Sequence, residues 1–275
     1  MSQGSDSVPS YRKPPIIEAV WSVQFAEMLW LLPPHTGLFW SRIRDRFPRC
    51  EEQAPIMHVV ESESLFTSPK SSAELLTAPP LSRQWFISEA GTELVQLQRD
   101  RFCCNWRKVE PDDVYPRFQR LKNMFTEGWT TFCDFVSAMG EGAPAIDQCE
   151  MTYINHIERG LGWDAIERVG AVFPAICWEG KTSFLPAPST LGAKFSFEMP
   201  SLHGRLHASL RHGVKSEGKA KGNELLLLEM TARGLPDTTD VAGLLRWFAL
   251  ARESIVKGFT DLTASKMHSL WEREI

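Results

Sequence analysis

Four groups of residues in this 275-residue chain are of types that can do chemistry. The run Gly213-Val-Lys-Ser-Glu-Gly218-Lys219-Ala220 has the spacing of a phosphate-cradling loop up to its last position. In such a loop a terminal Ser or Thr hydroxyl ligates magnesium, and the loop opens a helix whose N-terminus holds phosphate. Ala220 has no hydroxyl and the segment joins two stretches that read as strands, so it reads as a Gly/Lys hairpin loop. His203, His207 and His212 are of the type that binds zinc. On a strand, however, His212 would point with Leu206, Ala208 and Leu210, and His207 with Arg205, Ser209 and Arg211. Cys149 and His156 fail as a nucleophile and base for the same reason, being seven apart on one strand. Glu18 and Glu150 could form an acid/base pair, but as equivalent positions of a duplicated sheet they read as structural. GxSxG, HExxH and GxGxxG do not occur. The expectation is a chain that is not an enzyme and takes no metal or cofactor.

What remains is a binding signal. Strand parity collects Arg99, Arg101, Asn105 and Arg107 on the polar face of one stretch, and Arg205, His207 and Arg211 on that of another. The planar guanidinium fork suits phosphates and carboxylates alike, so these seven are the candidate partner-binding residues. The competing reading is a cross-strand charge lattice, because Lys194, Glu198, Glu229 and Arg233 fall on neighbouring stretches.

The elements that must carry these side chains follow from periodicity. Residues 1–13 are polar and read as a disordered arm, and Ile16–Phe25 as a strand rich in β-branched and aromatic residues. A helix follows Pro33-Pro34 and stops at Pro48. Strands are expected at 56–66 and 84–89, separated by a Pro/Ser-rich surface loop at 67–82. Between Glu93 and Lys108 the apolar parity switches, from Val95 and Leu97 to Phe102, Cys104 and Trp106. One regular strand cannot change faces, so a hairpin turn is placed at Arg99-Asp100. A long helix covers 114–140, with Pro116 near its start and apolar residues at steps of three and four. The second half reads as a strand at 149–158, a helical turn at 164–169, strands at 172–179, 191–199, 204–213 and 223–233, and a final helix over 238–273.

Both halves thus read β-α-β4-α, residues 14–144 and 145–275. Two alignments support a duplication: Glu18, Trp21 and Phe25 match Glu150, Tyr153 and Ile157 at an offset of 132, and Gly128–Phe132 matches Gly258–Leu262 at 130. The fold class is α+β, one curved antiparallel sheet built from two halves, with the long helices packed on one face. This order is similar to the TATA-binding-protein-like architecture, which implies an uncovered sheet face. Taken together, PPIIEAVWSVQF, LVQLQRDRF followed by NWR, YPRF and TYINHI resemble a sporadically distributed, uncharacterised bacterial protein family. The resemblance implies no catalytic residues. Its patchy occurrence implies a mobile setting, such as an antiphage, CRISPR-associated or toxin-antitoxin locus.

Composition narrows the partner. A formal net charge of -4 gives no global attraction to nucleic acid or to an anionic membrane. The longest apolar run, around Met28–Leu32, is too short to span a bilayer. Six cysteines without a CxxC pair read as reduced structural thiols, and the chain as cytoplasmic. The expectation is a non-enzymatic protein-binding or regulatory module for a partner encoded nearby, using the open sheet face or the 67–82 loop. The first alternative is nucleic-acid binding through the face arginines, and the second an enzyme with an unrecognised site.

Overall fold

A computed structural model of the chain describes residues 8–61, 82–178, 184–215 and 223–274. The regular elements are β1 (Ser10–Tyr11), β2 (Ile16–Phe25), α1 (Pro33–Ile43), β3 (Arg49–Gln53), β4 (Arg83–Ile87), β5 (Glu93–Gln98), β6 (Arg101–Arg107), α2 (Arg117–Ala138), β7 (Ile146–Glu158), β8 (Gly192–Met199), β9 (Gly204–Val214), β10 (Glu224–Gly234), α3 (Val241–Leu262), α4 (Ser265–Leu270) and β11 (Arg273–Glu274). Nine strands form one antiparallel sheet in the order β3-β4-β5-β6-β2-β7-β10-β9-β8. The protein is α+β, with its helices packed on a sheet.

The opening strands of the two halves meet at the centre. Val20 faces Thr152, Glu18 faces Ile154 and Ser22 faces Glu150. Val20 and Thr152 differ by 132 in number, as do Glu18 and Glu150, and Ser22 and Ile154, so exchanging the halves maps the pairing onto itself. A local two-fold axis therefore passes through the Val20–Thr152 pair. The flanking strands obey the same relation: Glu18 opposes Arg107 of β6, and Glu150 opposes Arg233 of β10.

Alternation on β2 and β7 sends Trp21, Val23, Phe25, Cys149, Met151 and Tyr153 toward the helices, where all are buried. Trp21 stacks on Phe248 of α3 at 4.6 Å and lies against Phe118 and Phe125 of α2 at 5.1 and 5.5 Å, so one ring joins both long helices. Each helix approaches the sheet over a glycine. A Cβ on Gly128 would come within 3.3 Å of the Cys104 sulfur, and one on Gly258 within 3.2 Å of the Met230 methyl. Cys104 and Met230 are themselves equivalent, lying opposite Trp21 and Tyr153. The Gly128/Gly258 match in the sequence thus marks the same close approach in each half. Asp240 caps α3, accepting from the Gly243 amide at 2.8 Å.

Several expectations are corrected. Residues 8–13 are held in place: β1 pairs with β11, and the Tyr11 ring packs on Phe259 and Trp271. Residues 1–7 lie outside the described residues. The strand expected at 56–66 is replaced by β3, which pairs with β4. Pro55, lacking an N–H, follows the end of β3, and residues 56–61 leave the sheet edge. Residues 62–66, and 67–81 of the expected loop, lie outside the described residues, as do 216–220 of the Gly/Lys loop. Residues 172–178 contain no strand; the Val172 carbonyl accepts from the Ala264 amide, and Pro174 offers no donor. The helix at the start of the second half is a 3-10 turn, Ile166–Ala171. Among the described residues the second half therefore reads β-β3-α. The last helix stops at Leu262, where Thr263 is extended and its hydroxyl bonds the Phe259 carbonyl at 2.6 Å, before α4 begins.

Candidate binding face of the sheet

The helix-free face carries the residues of opposite parity: Ser22 and Gln24 on β2, Gln148 and Glu150 on β7, Arg101 and Asn105 on β6, Arg233 on β10, and Arg205 and His207 on β9. Ser22, Gln24, Arg101, Asn105 and Gln148 are all buried. A polar face with buried polar side chains must supply each of them with a partner.

Much of that supply comes from residues 56–61, which run as a strap across one end of the sheet. Gln98 accepts from the Ile56 amide and donates to the Ile56 carbonyl, both at 2.8 Å. Gln24 accepts from the Val59 amide at 3.2 Å. Gln148 donates to the Val59 carbonyl and accepts from the Glu61 amide, both at 2.8 Å. Arg101 donates to the Met57 carbonyl at 3.2 Å, and His58 lies between Asp100 and Asp147 at 3.1 and 3.4 Å. From β5 to β7 is three strand spacings, about 14 Å, and five residue steps reach at most about 17 Å, so the strap runs nearly straight. Its backbone bonds go to side chains, three glutamines and Arg101, where a strand's would go to a neighbouring strand.

The strap ends on a carboxylate site. Glu61 lies 2.6 Å from His207 Nε2, 3.1 Å from Arg205 Nη1 and 3.8 Å from Arg233 Nη1. Burial pushes this carboxyl up, but the His207 hydrogen bond and charge, with Arg205 and Arg233, outweigh it and hold Glu61 below the usual carboxylate range. Arg233 also bonds Glu150, which lies 3.3 Å from Arg101. The result is a chain of alternating charge, Arg101–Glu150–Arg233–Glu61–Arg205, with residues from β6, β7, β10, β9 and the strap.

The other candidate residues separate from this cluster. Asn105 accepts from Gln96 at 2.6 Å and donates to Glu18 at 2.7 Å. Burial raises the Glu18 carboxyl above its ordinary value, opposed by that hydrogen bond and by Arg107. Arg107 donates to the Gly91 carbonyl at 3.0 Å and its guanidinium sits over the Trp85 ring. Arg99, in the β5–β6 turn, reaches the Leu31 carbonyl at 3.3 Å and Glu27 at 3.6 Å, away from the face. Arg211 is exposed and pairs with Glu229 at 3.4 Å. Of the seven, the structure brings together Arg101, Arg205 and His207, and each has a partner from this chain.

The chain matches no protein-family model and no curated protein.

The remaining chemical candidates stay apart. His203 lies 3.5 Å from Asp237, His212 packs on Trp163, and His207 is at the strap. Among the described residues no three His, Cys, Asp or Glu side chains are placed to hold a metal ion. Cys103 donates to Ser22 Oγ at 3.4 Å and is fully enclosed, and burial raises its thiol despite Arg101 beside it. Among the described residues no helix is long and apolar enough to cross a membrane. The residues not anticipated from sequence are Gln24, Gln98, Gln148 and Glu61. The three glutamines had a signal in the sequence, each standing within three residues of a strand end on the polar parity, whereas Glu61 had none.

Proposed function

We propose that this protein is a non-enzymatic protein-binding module whose helix-free face takes an extended, acidic peptide segment, and that its own strap is a resident ligand of that site. One observation carries the reading: Gln98 and Gln148 each donate to and accept from the strap backbone. Such contacts hold any chain in this conformation, whatever its side chains, as backbone pairing does in strand-addition complexes. The Arg205–His207–Arg233 site then selects for a carboxylate at the position of Glu61. Nucleic-acid binding has less support, because Arg101 and Arg205 already face Glu150 and Glu61. The resemblance to a patchily distributed bacterial family supports a partner encoded nearby in a defence-related or toxin-antitoxin locus.

The test is fluorescence anisotropy with the Glu61→Ala variant, whose strap has lost its anchor. The probes are a labelled peptide copying residues 54–61 (APIMHVVE) and a labelled single-stranded DNA, each across a salt series. The expected result is saturable peptide binding that weakens when the peptide's glutamate becomes glutamine, with no comparable DNA binding. Absence of peptide binding, or DNA binding that falls steeply with salt, overturns the reading.

A further inference from the structure

The two edges of the sheet are treated differently. The outer edge strand β3 has five residues and stands between Pro48 and Pro55. The opposite edge strand, β8, has eight residues, none of them buried, and among the described residues nothing pairs with its outer side. In the first half a further strand lies outside β4; in the second half the equivalent place beside β8 holds no strand among the described residues. A long, regular, unprotected edge is a template for another strand.

The floor beside this edge also differs between the halves. Register makes Leu206 the counterpart of Glu93, since they oppose Ala232 and Trp106 at equivalent places on β10 and β6. Glu93 is covered by Arg46 and Arg120, at 3.0 and 2.9 Å. Around Leu206 the surface is instead an apolar groove of about 570 Å³ between β8 and α3, lined by Phe197, Met199, Leu250 and Leu262. Phe197 and Leu250 remain 40% and 38% exposed.

The edge sequence names the occupant. The Leu191 carbonyl accepts from His212 of β9, so by alternation Gly192, Lys194, Ser196 and Glu198 turn their backbone groups outward. We propose that β8 pairs antiparallel with β8 of a second copy about a two-fold axis at Ser196, joining two nine-stranded sheets into one. In that register Lys194 lies opposite Glu198 of the second copy, and Glu198 opposite its Lys194. Phe195 meets Phe197 of the second copy on the helix side, twice. The two members of each opposed pair share a face, and both Lys194–Glu198 pairs meet with opposite charge. A strand whose two charges lie at equal distance on either side of one serine is complementary to itself. This proposal does not depend on the strap.

Light scattering coupled to size-exclusion chromatography tests it on the full chain. The wild type is expected at the mass of two chains. Lys194→Glu and Glu198→Lys, which set like charges opposite each other, are each expected to shift it to one chain, and the double exchange to restore two. Ser196→Pro removes an outward N–H and leaves the β9 ladder intact, so it is expected to be a folded monomer by circular dichroism. A monomeric wild type, a dimer that survives Ser196→Pro, or a double exchange that stays monomeric overturns the proposal.

Discussion

Glu61 and His207 are 146 residues apart in the chain, yet their side chains meet at 2.6 Å. This contact fixes the end of a strap that would otherwise be held chiefly by glutamine side chains. It is also the point at which the strap is easiest to release, because the anchor is one carboxylate.

Replacing Glu61 by alanine is therefore expected to loosen residues 56–61 without unfolding the sheet. Charge-assisted hydrogen bonds of this kind contribute on the order of 1.5–3 kcal/mol. Limited proteolysis should cut the variant within the strap faster than the wild type, while the thermal transition of the core keeps its cooperativity. Equal cleavage rates would show that Glu61 is not the anchor.

Acid is expected to do the same reversibly. Glu61 is held below the ordinary glutamate value, so its contribution is fully present above about pH 4.3 and is lost as pH falls through the lowered folded value. Glu18 has the opposite sign: its raised folded value means that its contribution is largest in acid and is lost as pH rises through that value. Glu18→Gln, still able to accept from Asn105, should thus raise the melting temperature at neutral pH, by a margin that shrinks on acidification. Melting curves over a pH series check both signs.

Trp21 touches α2 and α3 from the central strand and is 1% exposed. Trp21→Ala is expected to cost about 3–5 kcal/mol in denaturant unfolding, as large-to-small changes at buried aromatics do. The loss should appear as one transition, since the ring serves both halves. Two separated transitions would contradict a single shared core.

Gly128 and Gly258 provide a test of the duplication in energy. Valine at either position drives a branched side chain into the sheet, against Phe102 and Cys104 in one half and Leu206 and Met230 in the other. Each change is expected to cost about 1–3 kcal/mol by overpacking, and by similar amounts. A large cost at one site with none at the other would mean that the two helices do not sit alike.

The duplicated frame was legible because it rests on local signals. Alternation assigned both faces of β6 and β9, the parity switch placed the turn between Gln98 and Arg101, and the glycine match marked the helix contacts. The strap was not legible. Ile56, Val59 and Val60 have strand-like composition, but the backbone of Ile56, Val59 and Glu61 bonds side chains of Gln24, Gln98 and Gln148, and no periodicity records a side chain standing in for a strand. Parity set Arg101, Arg107, Arg205 and Arg211 on the helix-free face, but not Arg99, which stands in the β5–β6 turn and reaches Leu31 and Glu27. The carboxylate partners of the face arginines were hidden for the same reason, since Glu61 reaches Arg205 across 144 residues. The final helix was read too long because Thr263 and Ala264 turn aside for bonds within the fold rather than at a proline or glycine.

Hydrogen exchange of the wild-type amides decides whether the strap is an exchangeable ligand of the sheet. The Ile56, Val59 and Glu61 amides are bonded to glutamine side chains, whereas Leu226 lies in a strand paired on both sides. The three strap amides are expected to exchange together through a local opening of much lower free energy than that protecting Leu226, and Glu61→Ala to speed them alone. Strap amides that exchange only at the rate of the Leu226 amide would make residues 56–61 a permanent part of the fold rather than a ligand of it.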